Sequence, residues 1–192
     1  MEAGNSKTDG HHTANTPVPD EDYIYLYAHW VINGVKDYEP GQKTPPGVGR
    51  SVTLDGISYR VTSSKADGTV TVTCSGCNYY LPKAVIRDSV DIDGFDCKVT
   101  AIEPGCFRYN TMLKQIVIGS NVKKIGKEAF LGCSKLKKIT VKTKLLTKKN
   151  VGKNAFAKLH SKTVVKAPSG LAGSYKKILK AKGLKGKKQK VK

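Results

Sequence analysis

The chain has 192 residues and a mass of 20.8 kDa, which suits one ordinary domain or two small ones and excludes a peptide hormone and a large multidomain enzyme. Hydrophobic residues make up 39% of it without forming an apolar run of about 18 residues, so neither a wholly disordered chain nor a transmembrane segment is expected. The net charge of +19 is concentrated in residues 121–192, which contain 23 Lys, no Arg and a single acid, Glu128, whereas residues 1–120 contain 11 basic and 14 acidic residues.

The first segment, residues 1–22, is rich in Thr, Asn, Pro, Asp and Gly and has no hydrophobic periodicity. This composition predicts a disordered leader. The segment lacks a positively charged stretch followed by an apolar one, which is the pattern of a signal peptide. We therefore expect either an intracellular protein or the continuation of a longer exported chain.

The second segment, residues 23–35, begins with YIYLYAHW, where Tyr and aliphatic residues alternate with the period of two that is typical of a β-strand. The string YLYAHW, which ends at Trp30, resembles the last strand of the internalin-type B-repeat, also called the Listeria–Bacteroides repeat. That resemblance implies the end strand of a partial β-grasp module from a bacterial surface protein. It also implies that the chain is a C-terminal piece of something larger.

The third and fourth segments are a linker and a group of short strands. Residues 36–50 concentrate Pro and Gly and predict the linker. Residues 51–98 alternate apolar and polar side chains between turn dipeptides. The turn dipeptides are Asp55-Gly56, Asp67-Gly68 and Asp93-Gly94. Because Asp-Gly is typical of hairpin turns, we expect a β-rich N-terminal cap of antiparallel strands.

An internal repeat begins at residue 99. VTAIEPGCFRYNTMLKQIVI (99–118) aligns with VKKIGKEAFLGCSKLKKITV (122–141) at an offset of 23, and every apolar anchor is matched. The matched pairs are Val99 and Val122, Ile102 and Ile125, Phe107 and Phe130, Leu113 and Leu136, Ile116 and Ile139, and Ile118 and Val141. A degenerate third copy, VGKNAF (151–156), follows at an offset of 26, and TVVKAP (163–168) is predicted as the last strand. A repeat of this period buries its apolar face only by stacking on its neighbours.

The pattern V-x-x-I-G-x-x-A-F-x-x-C-x-x-L-x-x-I-x-[IV] resembles the BspA-like leucine-rich repeats of bacterial surface and secreted proteins. The resemblance implies a short right-handed solenoid that attaches to host or matrix proteins or to other cells. The predicted fold is therefore mainly β with short helices: a short leucine-rich-repeat solenoid over residues 99–168, preceded by the β-rich cap and closed by a C-terminal helix. Two full repeats and one degenerate copy offer a smaller binding face than most such adhesins have.

The C-terminal segment, residues 169–192, predicts a capping helix and a basic tail. Its helix signals are Ser174 as the N-cap, Tyr175, Ile178 and Leu179 as one apolar face, and Gly183 as the stop. Residues 182–192 add Lys without apolar periodicity and predict a mobile tail. An amphipathic helix on a membrane surface, over residues 171–192, is the alternative interpretation.

The cysteines are odd in number, so at least one thiol is expected to be free. They are Cys74, Cys77, Cys97, Cys106 and Cys133. Only the first pair has the spacing of zinc ligands, so we expect no metal site. The repeat alignment places Cys106 and Cys133 in the repeat core. For the other three the sequence leaves open a Cys74–Cys77 or Cys77–Cys97 bridge in an oxidising compartment, or a role as small buried residues.

No catalytic arrangement stands out, because neither G-x-S-x-G nor H-E-x-x-H occurs. The alternating Asp residues of segment 88–96 resemble a calcium loop but lack the Gly and Glu of an EF-hand, so solvated strand and turn positions are expected. A nucleophilic pair of Cys97 or Cys133 with His160 stays open as the enzymatic alternative. We expect a non-enzymatic protein that needs no cofactor.

The Lys-rich half predicts an anionic partner, and the absence of Arg there favours diffuse attraction over bidentate recognition. The candidate binding residues are Lys123, Lys124, Lys127, Lys135, Lys137, Lys138, Lys142 and Lys144. Those that flank Leu136 and Ile139 form an outward basic strip if these two residues point inward. We expect a monomeric cell-surface or secreted adhesion module whose partner is an anionic cell-wall polymer or a host glycan.

Two other functions stay open. The first is a protein-specific adhesin that binds a host or matrix protein through the strand face of the solenoid, with the Lys residues serving only solubility. The second is a basic nucleic-acid-binding protein. That function requires an intracellular location, which the resemblance to surface proteins disfavours.

Overall fold

The computed structural model describes residues 43–192, so the predicted leader (1–22) and the predicted β-grasp strand (23–35) lie outside the described residues. Eleven strands and one helix follow in this part of the chain. They are β1 (Ser51–Leu54), β2 (Ile57–Ser64), β3 (Val70–Cys77), β4 (Lys83–Ile86), β5 (Ser89–Ile92), β6 (Phe95–Ile102), β7 (Gln115–Ile118), β8 (Lys124–Ile125), β9 (Lys138–Val141), β10 (Val164–Lys166), α1 (Ala172–Ala181) and β11 (Lys190–Val191). The expected class, mainly β with a C-terminal helix, is confirmed.

The first sheet, sheet A, has the strand order β1-β2-β3-β6-β5, and β8 also pairs with β6. Both of its tight hairpins turn at the predicted Asp-Gly dipeptides. Asp55 and Gly56 have φ of 51° and 72°, and Asp93 and Gly94 have φ of 56° and 82°. Left-handed backbone at both central residues is the geometry that matches the twist of a two-residue hairpin, which is why Asp-Gly is found there.

The second sheet, sheet B, is parallel throughout and has the order β4-β7-β9-β10-β11. Its existence corrects the expectation that the N-terminal strands are all antiparallel. β4 leaves its neighbours in sequence to pair with β7, and β3 pairs in parallel with β6. Alternating side chains predict a strand but not the strand with which it pairs. Here β3 and β4 each pair with a strand that is distant in sequence. β6 also runs across residues 98 and 99, where the sequence placed the border between cap and repeats, so the two regions share a strand.

Each repeat turn carries one phenylalanine into the core between the sheets. Phe107, Phe130 and Phe156 are fully buried, and their ring centroids stack at 5.3 and 5.4 Å. Backbone hydrogen bonds join successive turns, from Phe107 N to Ala129 O at 2.8 Å and from Phe130 N to Ala155 O at 2.9 Å. The predicted offsets of 23 and 26 residues are therefore the real spacing of the coils, and the degenerate third copy is a full structural repeat.

Two residues in each turn adopt left-handed backbone at equivalent repeat positions. The first position is occupied by Gly105, Glu128 and Asn154, with φ of 67°, 57° and 57°, and the second by Tyr109, Gly132 and Lys158, with φ of 56°, 76° and 53°. The turn thus keeps its shape although its residue types change. Inter-coil hydrogen bonds and the buried phenylalanine compensate for the strain of the residues other than glycine.

Three expectations for the C-terminus are wrong. α1 starts at Ala172 after Leu171, so Ser174 lies inside the helix and does not cap it. The carbonyl of Leu171 accepts the Tyr175 N–H at 2.9 Å as the first hydrogen bond of the helix. No side chain caps this end, and Leu171 packs its side chain against the core instead. The segment predicted as a mobile tail contains β11, and β10 is consequently not the last strand. Leu184 is buried in this segment, because the open end of sheet B offers backbone partners and apolar surface that composition does not reveal.

Of the two roles that the sequence left open for Cys74, Cys77 and Cys97, the structure does not show the disulfide bridges. All five are free thiols, so neither the Cys74–Cys77 nor the Cys77–Cys97 bridge is present. Four are buried, and Cys106 and Cys133 lie in the repeat core as predicted. The sulfur nearest to Cys74 belongs to Cys106, which lies far away in sequence, because β3 packs beside the first repeat turn.

Candidate binding surface

Arginine and lysine have different environments in this protein. All four arginines form ion pairs with carboxylates. The pairs are Arg50 with Asp93, Arg60 with Glu103, Arg87 with Asp55, and Arg108 with Glu128. Within residues 43–192, Lys127 is the one lysine that joins an ion pair, at 3.9 Å from Glu128. The other lysines in this range form no ion pair with a carboxylate.

Three of the four carboxylates in the predicted calcium-like segment, those of Asp88, Asp91 and Asp93, bond to the protein itself. Asp88 accepts the Ser120 N–H, and Asp91 accepts the Gly94 N–H at 3.2 Å. The hydrogen bond from Ser120 holds the pKa of Asp88 below its ordinary value of 3.8. No group of His, Cys, Asp and Glu residues in the described part of the chain has the arrangement of a metal site. These acids serve as turn and loop acceptors.

The thiols proposed for nucleophilic catalysis are bonded elsewhere. Cys133 donates to Phe107 O at 3.0 Å, and burial raises the pKa of its thiol to about 12. Cys97 donates to Phe95 O at 3.3 Å, and burial also raises its pKa. Nδ1 of His160 accepts the Lys162 N–H at 3.0 Å. A raised thiol pKa is the opposite of what an activated cysteine needs.

The eight predicted lysines are all exposed but do not share one face. They follow the perimeter of the second repeat. Lys123 and Lys124 lie at β8 in sheet A, Lys127 lies in the turn, Lys135, Lys137 and Lys138 lie ahead of and at the start of β9, and Lys142 and Lys144 follow β9. Leu136 and Ile139 are fully buried, so the lysines that flank them are outside the core. The structure brings one of the eight, Lys138, onto the outside of sheet B.

The outside of sheet B, called here the sheet B outer face, is defined by two rows of side chains in register. The first row is Lys83, Gln115, Lys138, Val164 and Lys190, and the second is Val85, Val117, Thr140 and Lys166. Neighbouring strands are about 4.8 Å apart, so each row is a continuous line across the sheet. Four lysines and no carboxylate lie in these rows.

Three of these four lysines, Lys83, Lys166 and Lys190, were not among the predicted site residues. Lys166 could have been found, because the offset of 26 aligns it with Thr140 of β9. Lys83 precedes the recognised repeats, and Lys190 lies in the segment that was predicted to be a mobile tail. Neither position carries a sequence signal of membership in sheet B.

A second basic feature lies beside α1. A shallow cavity of about 340 Å³ is lined by Lys176, Lys180, Leu184, Lys185, Gly186, Lys187, Gln189 and Val191. Its four lysines have no acidic neighbour in the lining. One rim is ordered by the Gly186 N–H, which donates to Oε1 of Gln189 at 2.7 Å. The C-terminal end of the solenoid is thus as basic as its sheet B outer face.

Stacked parallel coils with a buried phenylalanine and a buried aliphatic strand in each repeat define the protein as a leucine-rich-repeat solenoid. The family model described as "BspA type Leucine rich repeat region" matches residues 90–183 and finds 6 copies. Residues 90–183 belong to this BspA-type repeat family. A comparison with curated proteins finds no match. No helix among residues 43–192 is long and apolar enough to cross a membrane.

Three solved structures are similar to this chain. A leucine rich cell surface protein from Faecalibacterium prausnitzii is 21% identical, with a TM-score of 0.44 over 63% of this chain and 37% of that one. A leucine-rich repeat protein from Bacteroides capillosus is 20% identical, with a TM-score of 0.39 over 61% and 71%. A third, from Bacteroides ovatus, is 25% identical, with a TM-score of 0.43 over 60% and 37%. The chain thus spans little more than a third of the length of two of these proteins.

Proposed function

We propose that this chain is a binding module of a bacterial cell-surface protein, in which the repeat scaffold presents lysines to an anionic cell-wall polymer or host glycan. The observation that carries the proposal is the sheet B outer face, where four lysines lie in two rows without a carboxylate. The surface location is supported by the resemblance of the repeats to those of bacterial surface proteins. The chain itself acts as a monomer without catalysis.

The mechanism is electrostatic. Lys138 and Lys190 lie in one row, two strands apart, which places their Cα atoms about 10 Å from each other. Lysine is a compact point charge on a flexible stem, so such a face attracts repeated negative charges without demanding one geometry. Binding to it replaces small cations on the polymer, and the affinity consequently falls steeply as salt is added.

The test measures retention of the full chain on immobilised wall teichoic acid, heparin and duplex DNA between about 50 and 500 mM salt. The test variant is the triple change Lys138→Gln, Lys166→Gln and Lys190→Gln. The matched control, Lys148→Gln, Lys149→Gln and Lys153→Gln, removes the same charge from exposed positions around Val151, which bridges to β8 in sheet A. We expect the test variant to elute at clearly lower salt than the control. Equal losses would reject the sheet B outer face as the site.

No retention of the unaltered chain on any polymer at the lowest salt would reject the electrostatic mechanism as a whole. Preference for DNA over both glycopolymers would favour the nucleic-acid alternative. A truncation before α1 is a poor test, because it removes the buried Tyr175, Leu179 and Leu184 together with the lysines. Charge-neutralising substitutions at exposed positions avoid that loss of core.

A second candidate function uses the same face to bind a protein. Val85 is 41% exposed in the second row, beside the half-buried Val117, and Val164 is half-buried in the first row. These residues place apolar surface on β4, β7 and β10 of this face, on both sides of the central strand β9, and a protein partner would cover it. Salt separates the two functions, since a patch-specific protein interface loses mainly association rate when salt is added. Val85→Ser would then weaken binding more than the triple Lys variant.

A further inference from the structure

Two buried thiols meet where the N-terminal sheet contacts the first repeat. Sγ of Cys74, on β3, lies 3.3 Å from Sγ of Cys106, in the first repeat turn. Cys74 is fully buried and Cys106 is 6% exposed. A disulfide requires about 2.05 Å between the sulfurs, so bond formation needs the two sulfurs to approach by roughly 1 Å.

The repeat pattern does not explain a cysteine at position 106. The equivalent residues of the next two coils are Ala129 and Ala155, both fully buried. Of the three turns, the first is the one that packs against β3. On β3, Cys74 is in register with Ile102, and its backbone carbonyl accepts the Glu103 N–H at 2.9 Å. This small buried position is therefore alanine in two coils, and it is a cysteine in the one coil where it lies beside another cysteine.

The remaining three thiols have other partners. Cys77 donates to Cys106 O at 3.4 Å and accepts the Asn110 side-chain amide at 3.8 Å. Cys97 and Cys133 donate to backbone carbonyls of Phe95 and Phe107. The five cysteines thus divide into one pair of facing thiols, Cys74 and Cys106, and three thiols that bond to backbone carbonyls.

From this geometry we propose that Cys74 and Cys106 form a disulfide that covalently links the N-terminal sheet to the first repeat when the chain folds in an oxidising compartment. The oxidant is a disulfide compound such as oxidised glutathione. One cysteine thiolate attacks it and forms a mixed disulfide with release of one thiol. The second cysteine then displaces the other thiol, so that two cysteines lose two protons and two electrons while the oxidant becomes two thiols.

The cross-link closes the loop between residues 74 and 106, which includes β4, β5 and β6. Closing a loop of this length restricts the unfolded chain and so stabilises the folded one. Burial of both sulfurs also makes the reaction slow once the chain is folded, because a disulfide oxidant must reach a thiolate. Oxidation is therefore expected during folding, before the sheet packs on the turn.

The experiment refolds the full 192-residue chain with oxidised or reduced glutathione, alkylates the free thiols under denaturing conditions and determines the mass. After oxidation we expect three alkylated cysteines, a cross-linked peptide pair that contains Cys74 and Cys106, and a melting temperature higher by about 10 °C. Five alkylated cysteines in an oxidised, folded sample would overturn the proposal. A cross-link to Cys77 in place of Cys106 would do the same.

Two variants make the assignment specific. Cys106→Ala introduces the residue of the other two coils, and its melting temperature should not respond to the oxidant. Cys97→Ala should keep both the cross-link and the response. Should Cys106→Ala fail to fold, peptide mapping of the unaltered chain decides the question alone. The result is independent of polymer binding, so this proposal and the proposed function can fail separately.

Discussion

The hydroxyl of Tyr175 donates a 2.7 Å hydrogen bond to the backbone carbonyl of Thr143. The same hydroxyl oxygen accepts the Leu146 N–H at 3.4 Å, and Tyr175 is 2% exposed. One side chain of α1 therefore satisfies two backbone groups of the segment that follows β9. This contact attaches the helix to the repeats and closes the C-terminal end of the core.

Tyr175→Phe keeps the ring but removes the hydroxyl, and it leaves the Thr143 carbonyl without this donor. We expect the free energy of unfolding to fall by about 1–2 kcal/mol, since a buried polar group loses its partner. Urea denaturation followed by circular dichroism measures the change. The control is Tyr80→Phe at a residue that is 82% exposed, which should leave the midpoint unaltered. Equal midpoints for both variants would show that the bond contributes nothing.

Gly126 lies against the preceding coil so closely that a Cβ on it would overlap the backbone of Glu103 and Pro104. Gly126→Ala should destabilise the protein by about 1–3 kcal/mol, because backbone atoms of the two coils must separate. Gly173→Ala is the control, since nothing lies within 4 Å of that Cβ and the residue is in α1. It should be neutral or stabilising by up to about 1 kcal/mol. Thermal unfolding measures the melting temperatures of both variants. A lower melting temperature for Gly126→Ala alone would show that close packing of the coils requires glycine at this repeat position.

Phe130 stacks between Phe107 and Phe156 and is fully buried. Phe130→Ala should cost about 3–5 kcal/mol, which is a large part of the stability of an ordinary domain. Phe130→Leu refills much of the volume and should cost clearly less. Guanidinium denaturation compares the two. A similar loss in both variants would mean that the aromatic contacts, rather than the filled volume, dominate.

Acidification should destabilise the protein partly through Asp88. Its pKa in the folded chain is below the ordinary value of 3.8, because the carboxylate accepts the Ser120 N–H. The stabilisation is complete above the ordinary pKa and is lost as the pH falls through the lower, folded value. Asp88→Asn should therefore have a flatter dependence of melting temperature on pH between about 6 and 2. Asp96→Asn, at an exposed residue of the same segment, controls for the loss of one carboxylate.

Local turn patterns and the repeat alignment predicted two features of the fold correctly. The hairpins at Asp55-Gly56 and Asp93-Gly94 were found because Asp-Gly is favoured where two consecutive residues of a tight turn adopt left-handed backbone. The stacked phenylalanines were found because identical anchors recur at offsets of 23 and 26. The start of α1 was missed, because the packing of Leu171 outweighs the capping preference of Ser174.

The sequence by itself determined the class of the fold, the spacing of its repeats, the identity of its core anchors and the concentration of positive charge in its second half. Only the tertiary structure decided which lysines share a face and which cysteines meet. The physical reason is the parallel register of sheet B, where the chain advances by 32, 23, 26 and 26 residues from Lys83 to Gln115, Lys138, Val164 and Lys190. The first and last of these steps lie outside the repeats that the alignment recognised, so the neighbours of Lys83 and Lys190 across the sheet are set by packing.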